Sequence, residues 1–218
     1  MSLSTSKSLS KFDPNGTDSK AGRMGEVAYK LSIQAYAEKH FPQNTKYEIV
    51  EPSVSEETRD HVDFWQDKYV DGNRISRTGV QVKSKTTPKY VVAEIRRGNN
   101  APGWLLASKA EVLAEQKGNK FWLIKMETLK KKVVEEFGEK VLEDIENLQN
   151  NFPTTDDTFH AQWGASRAAG FTPCLHLKAT TYRGNESVDV LAYIPISAFK
   201  QGEYYEIEAV EPSEESNG

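Results

Sequence analysis

Apolar and polar residues alternate along several stretches of this chain, and in two others the apolar ones recur every three or four positions. Alternation marks strands at Lys46–Val50, across the pair HVDFWQDKYV and GVQVKSK (61–70 and 79–85), at Tyr90–Arg96, and at Asn119–Met126. Late in the chain PCLHLKATTY and SVDVLAYIPI alternate around the turn RGNE and predict a hairpin. Helical spacing of Met24, Val27, Ala28, Leu31 and Ala35 predicts a helix from Gly22 to His40, which Pro42 stops. Leu129, Val133, Phe137, Val141, Ile145 and Leu148 predict a long amphipathic helix that Gly138 bends or breaks. Ser108-Lys109-Ala110-Glu111 has the S-x-x-E form of a capping box and predicts a short helix starting near Ser108. Together these elements describe an α/β fold, a central mixed sheet flanked by helices.

The chemistry gathers on the hairpin from His61 to Lys85, whose two strands flank the turn DGNRISRT. Side chains alternate along a strand, so Asp63 lies opposite Val62 and Phe64, and Gln81 shares a face with Lys83 while Val80 and Val82 take the other. With the valines and Phe64 turned to the core, Asp63, Gln81 and Lys83 stand together on the second face. A carboxylate, an amide oxygen and an ammonium there suit a metal ion and a phosphate. The plain structural alternative is that they are polar residues on the wet side of an antiparallel sheet. Glu26, in the first turn of the first helix, has an equally plain explanation in the helix dipole.

Charge and composition narrow the field only a little. The 218 residues carry a net charge of −4, but residues 201–218 hold six Glu (203, 206, 208, 211, 214 and 215) and no Lys or Arg. The remainder has 28 basic against 26 acidic residues, near neutrality rather than the strongly basic body of many nucleic-acid binders. No apolar run approaches the ~20 residues of a membrane span, and the Ser/Lys/Gly-rich start lacks the apolar core of a secretory signal. A cytoplasmic location without membrane contact follows as the default expectation. Cys174 is alone, and His40, His61, His160 and His176 show no zinc-ligand spacing. The KKK run at 130–132 reads as a solvated face.

An Asp on one strand followed by Gln-x-Lys on the next, after a helix carrying Glu26 and before a further strand and helix, resembles the PD-(D/E)xK nuclease superfamily over residues 22–135. The resemblance implies a restriction-endonuclease-like core at 22–150, to which composition and alternation add a disordered arm at 1–21, a β-hairpin extension at 151–202 packed on the core and an acidic tail at 203–218. It implies Mg²⁺, or Mn²⁺, held by Asp63, Gln81, the backbone carbonyl of Val82 and Glu26, with Glu94 as a substitute acid. Lys83 would stabilise the attacking water or the developing charge, so that Asp63, Gln81, Lys83 and Glu26 form the catalytic set of an endonuclease acting on DNA. Two departures stand out: Gln81 replaces an acid, and Val62 stands where the family has Pro. The alternative is a nuclease-fold protein that has lost turnover and regulates by binding nucleic acid or protein.

Arg74, Arg77, Lys85, Lys89, Arg96 and Arg97 lie near the hairpin and third strand and are candidates for phosphate contacts without base reading. Trp65 and Trp104 are candidates for base stacking, with packing as their ordinary role. The acidic end offers a surface for a basic protein partner. DNA against RNA, endo- against exonuclease, and monomer against homodimer stay open, and the size and acidic end suit a phage protein.

Overall fold

Strand β3 (Asn73–Lys83) runs through the middle of the molecule and has a different kind of neighbour on each side. The computed structural model describes residues 17–53, 56–57, 60–84, 89–97, 101–142, 164–182 and 185–212. Helix α1 (Thr17–His40) leads into β1 (Thr45–Val50) and β2 (Phe64–Val70). The hairpin from β2 to β3 closes on Asp71 and Gly72, whose φ angles of 51° and 79° suit the two-residue turn that matches strand twist. After β3 come β4 (Tyr90–Arg97), β5 (Ala101–Pro102), the single helical turn α2 (Trp104–Ala107), β6 (Val112–Lys117) and β7 (Lys120–Lys125). Helix α3 (Met126–Phe137), a short helical segment at 164–168, the hairpin β8 (Cys174–Tyr182) with β9 (Asn185–Pro195), and β10 (Tyr204–Glu208) follow.

Six strands form one mixed sheet in the order β1-β2-β3-β6-β7-β10, and four form a second in the order β5-β4-β9-β8. In the larger sheet only β3 and β6 run parallel, with Gln81 beside Leu113 and Lys83 beside Glu115. A parallel pair cannot be joined by a tight turn, so the chain must leave the sheet at Lys83 and return. It builds β4 and α2 on the way. One face of the larger sheet packs on α1 through Phe64, Val80, Val82, Ala114, Phe121 and Ile207. The other face shares a core with the second sheet, where Leu113, Trp122 and Ile124 meet Val91, Ala93, Ile95, Val190 and Ile194.

The α/β class with a mixed sheet and flanking helices is as expected, and several details differ. The buried face of α1 is Ala28, Tyr29, Ser32, Ile33 and Ala37, whereas Met24 and Val27 are exposed. The apolar pattern missed it because Tyr29 and Ser32 bring polar atoms inward and satisfy them. The Tyr29 hydroxyl donates to Gln66 Oε1 at 2.8 Å, and Ser32 Oγ donates to the Ala28 carbonyl and accepts from the Val210 N–H. Helix α3 ends at Gly138, whose φ of 79° no helix continues, and a 3₁₀ turn follows at Glu139–Leu142; the expected continuation through Ile145 and Leu148 lies outside the described residues. Lys132 is not a solvated charge but buried between Glu135 and Glu203, at 3.0 and 3.3 Å.

No helix starts at Ser108. That residue ends α2, and Val112–Lys117 is a strand. The acidic end is not all tail: Tyr204–Glu208 forms the edge strand β10 against β7, with Lys120 bound to Glu206. The division at residue 150 does not follow the sheets either, because β4 pairs with β9 of the later hairpin. Residues 1–16 and 213–218 lie outside the described residues, while 17–21 belong to α1.

Helix α1 meets β3 at Gly25, where an added Cβ would sit 2.2 Å from the Ser84 Cβ. Alanine in place of a helical glycine gains about 1 kcal/mol in propensity. The overlap is with an atom fixed to the backbone, and forced overpacking costs about 1–3 kcal/mol, so the clash wins. Gly25→Ala is expected to lower stability by ~1–2 kcal/mol in urea denaturation, and Ser84→Gly in the same chain is expected to restore it. A more stable single variant contradicts this packing.

Candidate active site

The chain between β1 and β2 turns a tight corner before it re-enters the sheet, and four hydrogen bonds and an ion pair hold that corner. Asp60 accepts the Lys109 N–H at 2.8 Å through its carbonyl, and its carboxylate lies 3.2 Å from Lys109 Nζ. His61 sits in the left-handed region at φ 49°, and its carbonyl accepts the Ser108 hydroxyl at 2.8 Å. Asp63 donates its N–H to the Val80 carbonyl at 2.9 Å. Its Oδ2 accepts the Val82 N–H at 2.6 Å. Ser108, expected to cap a helix, holds this corner instead.

Asp63 is therefore fixed beside the C-terminal end of β3, the end against which Gly25 of α1 packs. Glu26 comes three residues before Tyr29 and seven before Ile33, on the buried face of its helix. Burial, then the charge of Asp63, push the Glu26 carboxyl up to about 7, with Lys30 opposing and Glu57 and Glu51 adding to the rise. Burial also pushes Asp63 up, against the pull of Lys83 and the Val82 N–H. The structure thus brings Glu26, Asp63 and Lys83 together.

Lys83 is the hub of the region. Its ammonium lies 5.6 Å from the centre of the Trp104 ring and acts on Asp63, Glu94 and His61. Glu94 stands on the far side. Burial raises its pKa, the Trp104 N–H lowers it, and the charges acting on it most are Asp189, Arg97 and Lys83. The charges acting on it most do not include Glu26 or Asp63. Among the described residues, no three of His, Cys, Asp and Glu come close enough to enclose a metal ion by themselves.

Gln81 is 3 % exposed and its Oε1 has no hydrogen-bond partner. The expected wet face does not exist at this position, because the second sheet covers it. Beside Leu113 in the parallel ladder, Gln81 points toward the core shared by the two sheets, with Lys83 two residues on at its open end. Strand β6 adds a pair that the sequence pattern did not reveal. Glu115, alongside Lys83, is fully buried and 2.9 Å from Lys117, whose ammonium donates to the Tyr90 carbonyl. Burial pulls the Lys117 pKa down while Glu115 holds it up. The period-two spacing of Leu113, Glu115 and Lys117 was the available signal, hidden by the capping-box pattern just before it.

The basic residues do not form one cluster. Arg77 makes two 2.7 Å hydrogen bonds to Asp67, and Arg74 reaches the same carboxylate at 3.4 Å. Both lie toward the hairpin turn, with Arg77 about 20 Å along β3 from Lys83. Arg96 donates to the Leu142 carbonyl at 2.7 Å, and Lys89 lies over Phe171. Lys85 lies outside the described residues. Of the described members of the expected set, Arg97 alone reaches the site, with its Nη2 3.1 Å from His61 Nε2. Trp104 is buried in the shared core and Trp65 is half-buried, as packing residues are.

The folded Glu26 carboxyl keeps its proton to about 7 against an ordinary 4.5, so folding takes up a proton between those values. Its contribution to stability is complete below 4.5 and is lost as pH rises through about 7. Glu26→Gln is expected to remove that loss, so that its urea midpoint gains on the wild type's across this window; parallel curves count against the site. Comparison with known proteins finds no match to a family model, to a curated protein or to a solved structure.

Proposed function

We propose that this chain is a metal-dependent nuclease that hydrolyses phosphodiester bonds of DNA, with a restriction-endonuclease-like core. The observation that carries this is the Glu26–Asp63 pair, two partly buried carboxyls whose pKa values burial raises, with the charge of Asp63 adding to the rise at Glu26 and Lys83 acting on Asp63 at the end of β3. Perturbed carboxyls set against a specific ammonium are what general acid–base chemistry needs. The order of elements supports the same reading: α1, three antiparallel strands, a crossover and the parallel strand β6.

The donor set fits Mg²⁺ or Mn²⁺. Magnesium commonly binds through one or two carboxylates, keeping several waters and taking further oxygens from a phosphate. Asp63 supplies a carboxylate, and the buried, unpartnered Oε1 of Gln81 and the Val82 carbonyl are further hard oxygens, which leaves Glu26 to act on the water. A bound divalent ion would supply Lewis-acid polarisation of the phosphate. The chain's own residues do the rest. Val82 fixes the Asp63 carboxylate through its N–H. Glu26, poised near neutrality, accepts a proton from the attacking water. Lys83 stabilises the negative charge that grows on the phosphate oxygens.

Asp63→Ala and Lys83→Ala are each expected to lower Mg²⁺-dependent cleavage of duplex DNA by roughly 100-fold or more while leaving the circular dichroism spectrum unchanged. Wild-type rates in either folded variant end the proposal. A second reading, a nuclease fold retained for binding without turnover, is favoured by Gln81 in place of an acid. The wild-type chain decides between them. EDTA-sensitive cutting with Mg²⁺ or Mn²⁺ removes the second reading, whereas DNA binding without cutting under either ion supports it.

A further inference from the structure

We infer that His61, Arg97 and Lys83 form a cradle for a backbone phosphate of DNA, seated on the side of Lys83 away from Glu26 and Asp63. This rests on the nuclease reading and adds a recognition element that the strand motif does not contain.

The geometry starts from the corner. A histidine at φ 49° is held there by the Ser108 hydroxyl on its own carbonyl and by the bonds of Asp60 and Asp63 on either side. Left-handed non-glycine residues that the surroundings hold in place cluster at functional sites. Here the restraint fixes a half-buried imidazole at the rim of the site.

The contact with Arg97 then assigns the imidazole's role. Arginine nitrogens only donate, so the 3.1 Å contact from Arg97 Nη2 makes His61 Nε2 the acceptor. A neutral ring that accepts at Nε2 carries its proton on Nδ1. That leaves an N–H donor beside a guanidinium with unused N–H groups and near the Lys83 ammonium. A neutral donor, an exposed guanidinium and an ammonium at one rim match the non-bridging oxygens of a phosphodiester. Arg97 lies on the last residue of β4, and a register shift between Glu94 and Arg96 where β4 pairs with β9 re-aims the strand just before it. Asp60, Asp63 and Glu94 are the acids acting on these groups. Asp60 is paired with Lys109, Asp63 accepts the Val82 N–H at 2.6 Å and Glu94 accepts the Trp104 N–H at 3.4 Å, so none of them closes the cradle.

The test measures binding rather than turnover. A fluorescein-labelled DNA duplex is titrated with the full chain in Ca²⁺ buffer over a series of salt concentrations. A gel of each sample scores cutting, and a parallel Mg²⁺ assay scores wild-type activity. Arg97→Gln is expected to weaken binding roughly tenfold and to lower the salt slope by about one, the signature of one lost phosphate charge contact. His61→Asn keeps a residue type that tolerates the left-handed region. It is expected to weaken binding roughly threefold to tenfold without changing the slope, as for the loss of a neutral donor. Thermal midpoints within the wild-type range separate these effects from unfolding, and Arg97→Gln, at an exposed strand end, carries the test if His61→Asn does not fold. Wild-type affinity and slope in Arg97→Gln, with a wild-type chain that cuts, overturn the cradle alone. A folded wild-type chain that neither binds nor cuts overturns the cradle and the nuclease reading together.

Discussion

The parallel pairing of β3 with β6 is the constraint on which the rest of the structure depends. Antiparallel neighbours can follow one another through a two-residue turn, as β2 and β3 do across Asp71 and Gly72. A parallel neighbour cannot, and the connection from Lys83 to Val112 has to cross one face of the sheet. In most such units a helix makes that crossing. Here α2 is a single turn and β4 takes most of the work, with Gly103 packed so close to Glu94 that a Cβ would sit 2.4 Å from its carbonyl oxygen. A strand used as a crossover has unpaired edges, and β9 and β5 cover them. The second sheet is therefore a consequence of how β3 meets β6.

That arrangement sets the electrostatics. Asp63 and Asp67 lie four residues apart on the same strand and its lead-in, yet they are driven in opposite directions. Asp67 is buried against the paired hydrogen bonds of Arg77 and the nearby Arg74, which hold its carboxyl below the usual range. Asp63 is buried against one backbone N–H and one lysine, with Glu57 and Glu26 nearby, and is pushed up. At Asp67 the arginine hydrogen bonds outweigh desolvation, whereas at Asp63 desolvation outweighs the N–H and the lysine. One end of the hairpin is saturated with matched charge, and the other is left short of it.

Much of this layout was legible in the sequence, and the parts that were not share a cause. The hairpin, the late β8–β9 pair, β7 and the separation of Val80 and Val82 from Gln81 all follow from period-two alternation, which depends on the backbone alone. The failures fall where polar atoms go inward. Tyr29 and Ser32 rotate the buried face of α1 away from Met24 and Val27; Glu115 and Lys117 make β6 look like surface; Lys132 looks like one of three solvated lysines. Each is buried with a specific partner, and partners distant in sequence carry no local signal. Ser108 shows the same limit from the other side. Its spacing to Glu111 is a capping box by pattern, but its hydroxyl is taken by His61, 47 residues earlier. At the site itself, alternation put Gln81 and Lys83 on one face but could not say that a second sheet would cover that face and bury Gln81.

A half-buried pair of carboxyls is a cost that a fold keeps only for a reason. The hydrophobic core does not need Glu26 or Asp63, since Ala28, Tyr29, Ile33, Phe64, Val80 and Val82 already fill the space between α1 and the sheet. An arginine could have saturated this end as Arg77 does at Asp67, but among the described residues the charges acting most on Glu26 and Asp63 include none. Lys83 acts on Asp63 but also on Glu94 and His61, with its ammonium over the Trp104 ring, and Lys30, which acts on Glu26, is paired with Glu51. Two shared ammoniums leave the acidic pair under-neutralised at the point where the corner from Asp60 to Asp63 is held most firmly. Under-neutralised charge on a rigid frame is what a binding site for a cation and an anionic substrate requires, because the frame does not relax to quench it before the ligand arrives.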